Sequence, residues 1–225
     1  MNALWEAAMT LQHAKLCAAL LLITIAVSLP LAAQSSYLVS RADSYLLAIT
    51  DKSGLFSFAA HRHAILATQW MAQMNIDAND LTRSSLEITA PLSGLVIDSE
   101  EGRRKADLDS GPSASDVKKI QTRMLSPDVL DPARYPAMHF KSVAVERAGS
   151  DTLKVTGDFE LHGHSHRVTV PVSYKQSSTG GLVFSGRFDF RQTDFGLKPE
   201  SVAGGTVHVK DEVTIKFQVA MVPQR

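Results

Sequence analysis

Between Leu153 and Tyr174 apolar and polar side chains alternate with a period of two. Leu153, Val155, Gly157, Phe159 and Leu161 fall on one face; Lys154, Thr156, Asp158, Glu160 and His162 fall on the other. Val168, Val170 and Val172 alternate in the same way with Arg167, Thr169, Pro171 and Ser173. The pattern predicts two strands over a tight His-rich turn, with one apolar and one wet face. It recurs at Trp70, Ala72, Met74 and Ile76, at Leu86 and Ile88, at Leu182, Phe184, Gly186, Phe188 and Phe190, and at Val213, Ile215, Phe217 and Val219. Tyr37 to Val39 and Ser44 to Thr50 are also strand-like, with a turn at Asp51-Lys52-Ser53-Gly54.

One helix interrupts this pattern. Ser113 and Asp116 make a capping pair, Val117, Ile120 and Met124 follow at helical spacing, and Pro127 comes just after the end. The polar stretch 98–112 before it predicts an exposed loop, and Pro132 and Pro136 bracket an irregular segment. The fold class is therefore all-β with one helix. About eight strands in sequence leave a sandwich or a barrel, and a barrel of that size just holds one small ligand. Gly157 and Gly186 lie inside apolar rows. This marks either a bend or bulge or the close approach of another group, and favours a barrel with a cavity.

The N-terminus has a different character. His13 and Lys15 precede an apolar run from Leu16 to Leu31, and Ala32-Ala33 gives way to Gln34-Ser35-Ser36. This predicts a secretory signal over residues 1–33, cut after Ala33, and one domain over 34–225 in a periplasmic or secreted protein. The alternative is a retained membrane anchor. Cys17, the only cysteine, lies within the leader, so the exported domain forms no disulfide and depends on its core.

Charge narrows the function. Lys plus Arg and Asp plus Glu each number 23, and no basic stripe appears, which excludes nucleic acid as a natural partner. Gly163-His164-Ser165-His166 begins like a nucleophile elbow, but Arg167 stands where the final glycine belongs and a strand follows instead of a helix. Ser115-Asp116-Val117-Lys118 and Lys52-Ser53-Gly54 match serine-hydrolase fragments in the wrong order. The chain does not read as an enzyme.

Two binding chemistries remain. An apolar ligand needs only a dry tube, since each buried methylene contributes roughly 0.8 kcal/mol. The candidate walls are Trp70, Met74, Leu86, Ile88, Phe140, Phe159, Phe184, Phe188, Phe190, Ile215 and Phe217, each of which has a plain core reading as well. The alternative is a transition-metal site for zinc, copper or nickel built from His61 and His63 with His162, His164 and His166, because an i, i+2 pair on a strand points both rings one way. Gly163 makes the second run a turn, which works against it.

Several segments, taken in order, resemble the YceI-like lipid-binding family. They are Val129 to Ser142, containing Leu130-Asp131-Pro132-Ala133-Arg134-Tyr135-Pro136; the hairpin Gly157 to Val168; the helix carrying Asp116, Ile120 and Met124; and the closing strand from Asp211 to Ile215. The resemblance spans roughly residues 36–222. It implies an extended, lipocalin-like antiparallel barrel that carries an isoprenoid, such as a prenyl-quinone or prenyl phosphate, in its lumen and needs no cofactor. Such a carrier would make transient contact with a membrane or a membrane redox protein. His162, His164, His166 and Arg167 depart from the family's usual Asn, Val, Lys and Pro. The loop Asp194 to Pro199 and the glycines at 204 and 205 form a candidate gate at the rim.

Overall fold

The computed structural model describes residues 37–54, 61–109, 111–177, 180–202 and 207–224. The leader expected at 1–33, the apolar stretch 55–60 and the glycines at 204 and 205 lie outside the described residues.

The alternating segments form strands. They are β1 (Tyr37–Ser53), β2 (His63–Ala67), β3 (Met71–Asn75), β4 (Ser85–Pro91), β5 (Leu95–Ile97), β6 (Ala137–Arg147), β7 (Thr152–Leu161), β8 (His164–Gln176), β9 (Leu182–Arg191), β10 (Ser201–Val202) and β11 (Val207–Pro223). They pair antiparallel in the order β3-β4-β6-β7-β8-β9-β11-β1-β2-β5, with β10 on β11. β1 runs unbroken through Asp51-Lys52-Ser53, where a turn was expected, because Lys52 and Ser53 pair with Val209 and His208.

Eleven segments stand where about eight were expected, and the reason is a corner. β2 continues into β3 through residues 68–70, and β4 into β5 through 92–94. β2 pairs with β5 and β3 with β4, so these are two long strands bent together. The Thr68 N–H and hydroxyl both donate to the Gly94 carbonyl, at 2.9 and 2.8 Å, and fix the bend. With each bent strand counted once and the two-residue β10 set aside, eight strands form a ring. β1 flanks the bent pair on one side and β6 on the other. A closed ring leaves no long unpaired edge.

Two helices are present among the described residues, not one. α2 (Ala114–Met124) is the expected helix, with the Ser113 hydroxyl accepting from Asp116 N–H. α1 (Glu100–Lys105) lies inside the stretch expected to be a loop. Ser99 caps it, Glu100 and Glu101 sit in its first turn, and Arg103, Arg104 and Lys105 sit in its last, the order that suits the helix dipole. It packs outside the ring, where Leu47, Ile49, Ala64, Leu66 and Ala106 form a separate small core. α2 lies against the free edge of β5. The Gln121 amide accepts from Ile97 N–H and donates to the Leu95 carbonyl, both at 2.8 Å, in place of a neighbouring strand.

The two strand glycines are explained by neighbouring rings. A Cβ at Gly186 would lie 2.7 Å from the Phe217 ring and 2.5 Å from the Pro171 carbonyl oxygen. One at Gly157 would run into the Phe140 ring and lie 2.7 Å from the Lys141 carbonyl oxygen. Opposite Gly157, β6 also carries a bulge between Ser142 and Ala144. Each glycine leaves room for the far end of a phenylalanine ring that a side chain would displace. We expect Gly186→Ala to cost about 1–3 kcal/mol, because the carbonyl oxygen cannot give way as a side chain does. Urea unfolding with an unchanged m value checks it.

Candidate functional site

The ring is hollow. A cavity of about 940 Å³ runs through it, at the upper end of the range for small-molecule sites. Ten of the eleven expected wall residues line it: Met74, Leu86, Ile88, Phe140, Phe159, Phe184, Phe188, Phe190, Ile215 and Phe217. All of these except Phe159 are only half-buried although they point inward, because their remaining surface faces the lumen. A filled core would cover them.

Trp70 is the exception. It sits at the corner between β2 and β3, is 5 % exposed, and does not reach the lumen. The Arg41 guanidinium lies 4.1 Å from its ring centroid and donates to its backbone carbonyl, so Trp70 closes the corner as core. Several lining residues were missed. Ile120 and Met124 of α2 reach the cavity, as do Leu92, Leu95 and Ile97 around the corner. Helical spacing had marked the first two as an inward face without saying what they faced.

The lumen lining is mainly apolar, with Thr50, Ser84, Ser85, His139 and Gln192 also on it, and the charged side chains lie at one mouth. Asp51, Lys52, His61, His63, Ser113, Asp116, Lys119, Arg123, Glu200 and His208 gather there. Contacts link them into a rim. Lys210 donates to Asp51 at 2.8 Å, and Val209 N–H donates to the Glu200 carbonyl. Arg123 pairs with Glu200 at 2.8 Å and with Asp128 at 2.7 Å, and Lys119 pairs with Asp116 at 3.1 Å. Partial burial pushes the Asp51 carboxyl up, but hydrogen bonds from Lys210 and the Lys52 N–H, with the charges of Lys210 and Arg62, hold it below its ordinary value. The Asp116 carboxyl is lowered by hydrogen bonds from Ser113 and Lys119 and by the charges of Lys119 and His61.

Behind the rim lies a buried ion-pair cluster. The Asp98 side chain has no solvent exposure. It accepts from His63 Nδ1–H at 2.6 Å, from Ala64 N–H at 3.0 Å and from Arg103 Nη1 at 2.7 Å. Burial pushes its carboxyl up, but these hydrogen bonds and the charge of His63 outweigh that and hold it below the usual carboxylate value.

The histidine runs do not meet in a metal site. Among the described residues, no three His, Cys, Asp or Glu side chains are grouped so as to hold a metal. His61 and His63 belong to the mouth. His162 and Gly163, with φ of 52° and 75°, make the two-residue turn between β7 and β8, which splays the second run. His162 packs on Tyr135 with ring centroids 4.1 Å apart and donates to the Phe195 carbonyl at 3.3 Å. His166 donates to the Asp194 carbonyl at 2.8 Å, and His164 lies against Gly196. The three histidines thus clamp the loop after β9. That loop is no open gate: Phe195 is 1 % exposed and meets Phe159 and Phe190 edge-on at 5.2 and 5.3 Å, which plugs this side of the ring.

Comparison with known proteins agrees with this architecture. A UPF0312 protein of Pseudomonas putida is 30% identical over 117 residues, which cover 48% of this chain and 59% of that protein. One from Shewanella denitrificans is 27% identical over 121 residues, covering 52% and 63%. The matched stretch thus spans about three-fifths of the length of these relatives. Among solved structures, Burkholderia cenocepacia BcnA superposes with a TM-score of 0.61 at 22% identity, over 81% of this chain and 98% of that one. A polyisoprenoid-binding domain from Saccharophagus degradans superposes with a TM-score of 0.54 at 11% identity, over 84% and 99%. At these identities the likeness is one of fold. The family model for the YceI-like domain matches residues 53–221, from the end of β1 to the end of β11, and by that match the chain belongs to the YceI-like domain family.

Proposed function

We infer that this protein binds and carries a long apolar lipid, an isoprenoid such as a prenyl-quinone or prenyl phosphate, inside the ring without chemical conversion. One observation carries the reading: nine bulky apolar side chains point into the ring yet remain half-exposed to a cavity of about 940 Å³. Leaving such surface bare costs roughly 25 cal/mol per Å², so an apolar chain entering the lumen recovers that energy from both partners. Apolar side chains predominate along the wall, which suits a repeating hydrocarbon better than a compact polar ligand. The polyisoprenoid-binding domain from Saccharophagus degradans has the same fold and supports the class of ligand. An exported carrier, freed of its leader after Ala33, is the setting this reading favours.

Protein stripped of lipid in organic solvent and refolded should retain a prenyl-quinone through gel filtration. Failure to retain any member of a panel of isoprenoids of different chain lengths would sink the reading.

A further inference from the structure

The lumen has a charged end and a closed apolar end. Its mouth lies where β1 finishes and β11 begins, with Ser53 opposite His208. β11 then runs away from the mouth to Met221, which pairs with Leu182 at the start of β9. Both are buried and neither reaches the cavity, so this end of the ring is filled core. The register carries the same end around the ring. Gln176 of β8 faces Leu182, Ser173 faces Thr152 at the start of β7, and Leu153 faces Arg147 at the end of β6.

The connection between β3 and β4 closes this end from the remaining side. Asn75 and Ser85 are the last pair of the two strands, and residues 76–84 turn between them. Ile76 and Leu81 are the buried residues of that connection, and both line the cavity. Leu81 stands on a single 3-10 turn, Leu81–Arg83, packed against β6, and it is the turn's one buried side chain. The turn is tied into one shape. Asp77 N–H donates to the Ser84 hydroxyl at 3.0 Å, and Thr82 donates to the Asp80 carboxylate through its N–H at 3.1 Å and its hydroxyl at 2.7 Å. Ser84 N–H donates to the Leu81 carbonyl at 3.1 Å, and Arg83 pairs with Asp77 at 2.6 Å. A fixed turn thus holds one leucine across the end of the lumen.

That placement gives Leu81 a task beyond packing. A tail threaded from the mouth advances toward it. Each carbon that fits inside adds to the affinity, and each carbon beyond the floor must fold back or stay in water. The bulk of the floor therefore decides how many carbons are enclosed. A leucine that served the core alone would border protein on all sides, whereas Leu81 borders the cavity.

We propose that Leu81 is a specificity-determining residue: it is the floor of the lumen and sets the longest isoprenoid tail that the ring encloses. This rests on the reading of the lumen as an apolar-chain site.

The test is a chain-length series on the whole protein. All-trans prenols from farnesol upward, one isoprene unit at a time, compete with N-phenylnaphthylamine, a neutral fluorescent probe. On wild type each enclosed unit should tighten binding at least about tenfold until the tail meets the floor, after which binding should level off or weaken. Leu81→Ala removes three carbons from the floor. The break should move to a longer prenol, and the first prenol beyond the wild-type break should bind the variant at least about tenfold tighter. Leu81→Val removes one carbon and serves if the alanine variant does not fold; it should tighten the same prenol about threefold. Thr82→Ala loosens the same turn by cutting the hydroxyl bond to Asp80 and should leave the break where it is. Urea unfolding confirms that each variant is folded. Affinity that climbs through the whole series without a break overturns the proposal. So does a break that stays in place in the folded Leu81 variants, or one that moves equally in Thr82→Ala. If no prenol binds wild-type protein, the apolar-lumen reading itself falls and this proposal falls with it.

Discussion

Val155→Trp should weaken the binding of an isoprenoid about a hundredfold while the protein stays folded. Val155 lies midway along β7, is 5 % exposed and lines the lumen between Leu153 and Phe159. Adding an indole at a buried valine in a filled core typically costs about 1–3 kcal/mol or more in strain. Here the new side chain has a cavity of about 940 Å³ to enter. Even so, stability should fall by about 1–3 kcal/mol, because Val155 is covered by packed neighbours that must shift before the indole reaches the lumen. The ligand suffers as well. Displacing three or four methylenes from the lumen, each worth roughly 0.8 kcal/mol, removes about 3 kcal/mol of binding, or roughly a hundredfold. Probe displacement and urea unfolding on the same variant separate the two effects. Strong destabilisation with unchanged binding would show that this part of the ring is filled and the ligand lies elsewhere.

The strands and their inward faces were legible because a half-buried strand writes its burial every second residue. Ten of the eleven candidate wall residues line the cavity, nine of them on the alternating rows. The pattern does not reveal corners. Thr68-Gln69-Trp70 holds no glycine or proline, and the bend there depends on the Gly94 carbonyl, 26 residues away. Trp70 was misjudged for the same reason: alternation runs through it, but the strand breaks just after it. α1 escaped notice because a single turn of polar residues carries no apolar stripe; its acidic-then-basic order was the signal available. The histidines illustrate a different limit. Spacing alone made His162, His164 and His166 look like ligands, yet one pair of positive φ angles at His162 and Gly163 turned them into a clamp for Phe195. The pairing of His63 with Asp98 spans 35 residues and leaves no local mark.

That pairing carries the largest expected effect on stability. Asp98→Ala should lower the unfolding free energy by about 3–5 kcal/mol, the usual result of removing one partner from a buried ion pair. Three donors lose their acceptor at once, and the Arg103 guanidinium, 11 % exposed, loses its carboxylate partner while still donating to the backbone carbonyls of Arg62 and Asp109. The backbone adds to the cost. Asp98 has φ of 51°, a region aspartate tolerates far better than alanine. Asp98→Asn keeps that tolerance and one acceptor oxygen, so it should cost less and isolate the charge. The pH dependence follows from the direction of the shift. The folded-state carboxyl titrates below its ordinary value of 3.8, so its contribution is present above that value and is lost as pH falls through the lowered one. The stability gap between wild type and Asp98→Ala should therefore be constant near neutral pH and narrow only in acid. Urea unfolding of both proteins at a series of pH values measures it. A gap that failed to narrow in acid would mean that the charge on Asp98 does not hold the cluster together.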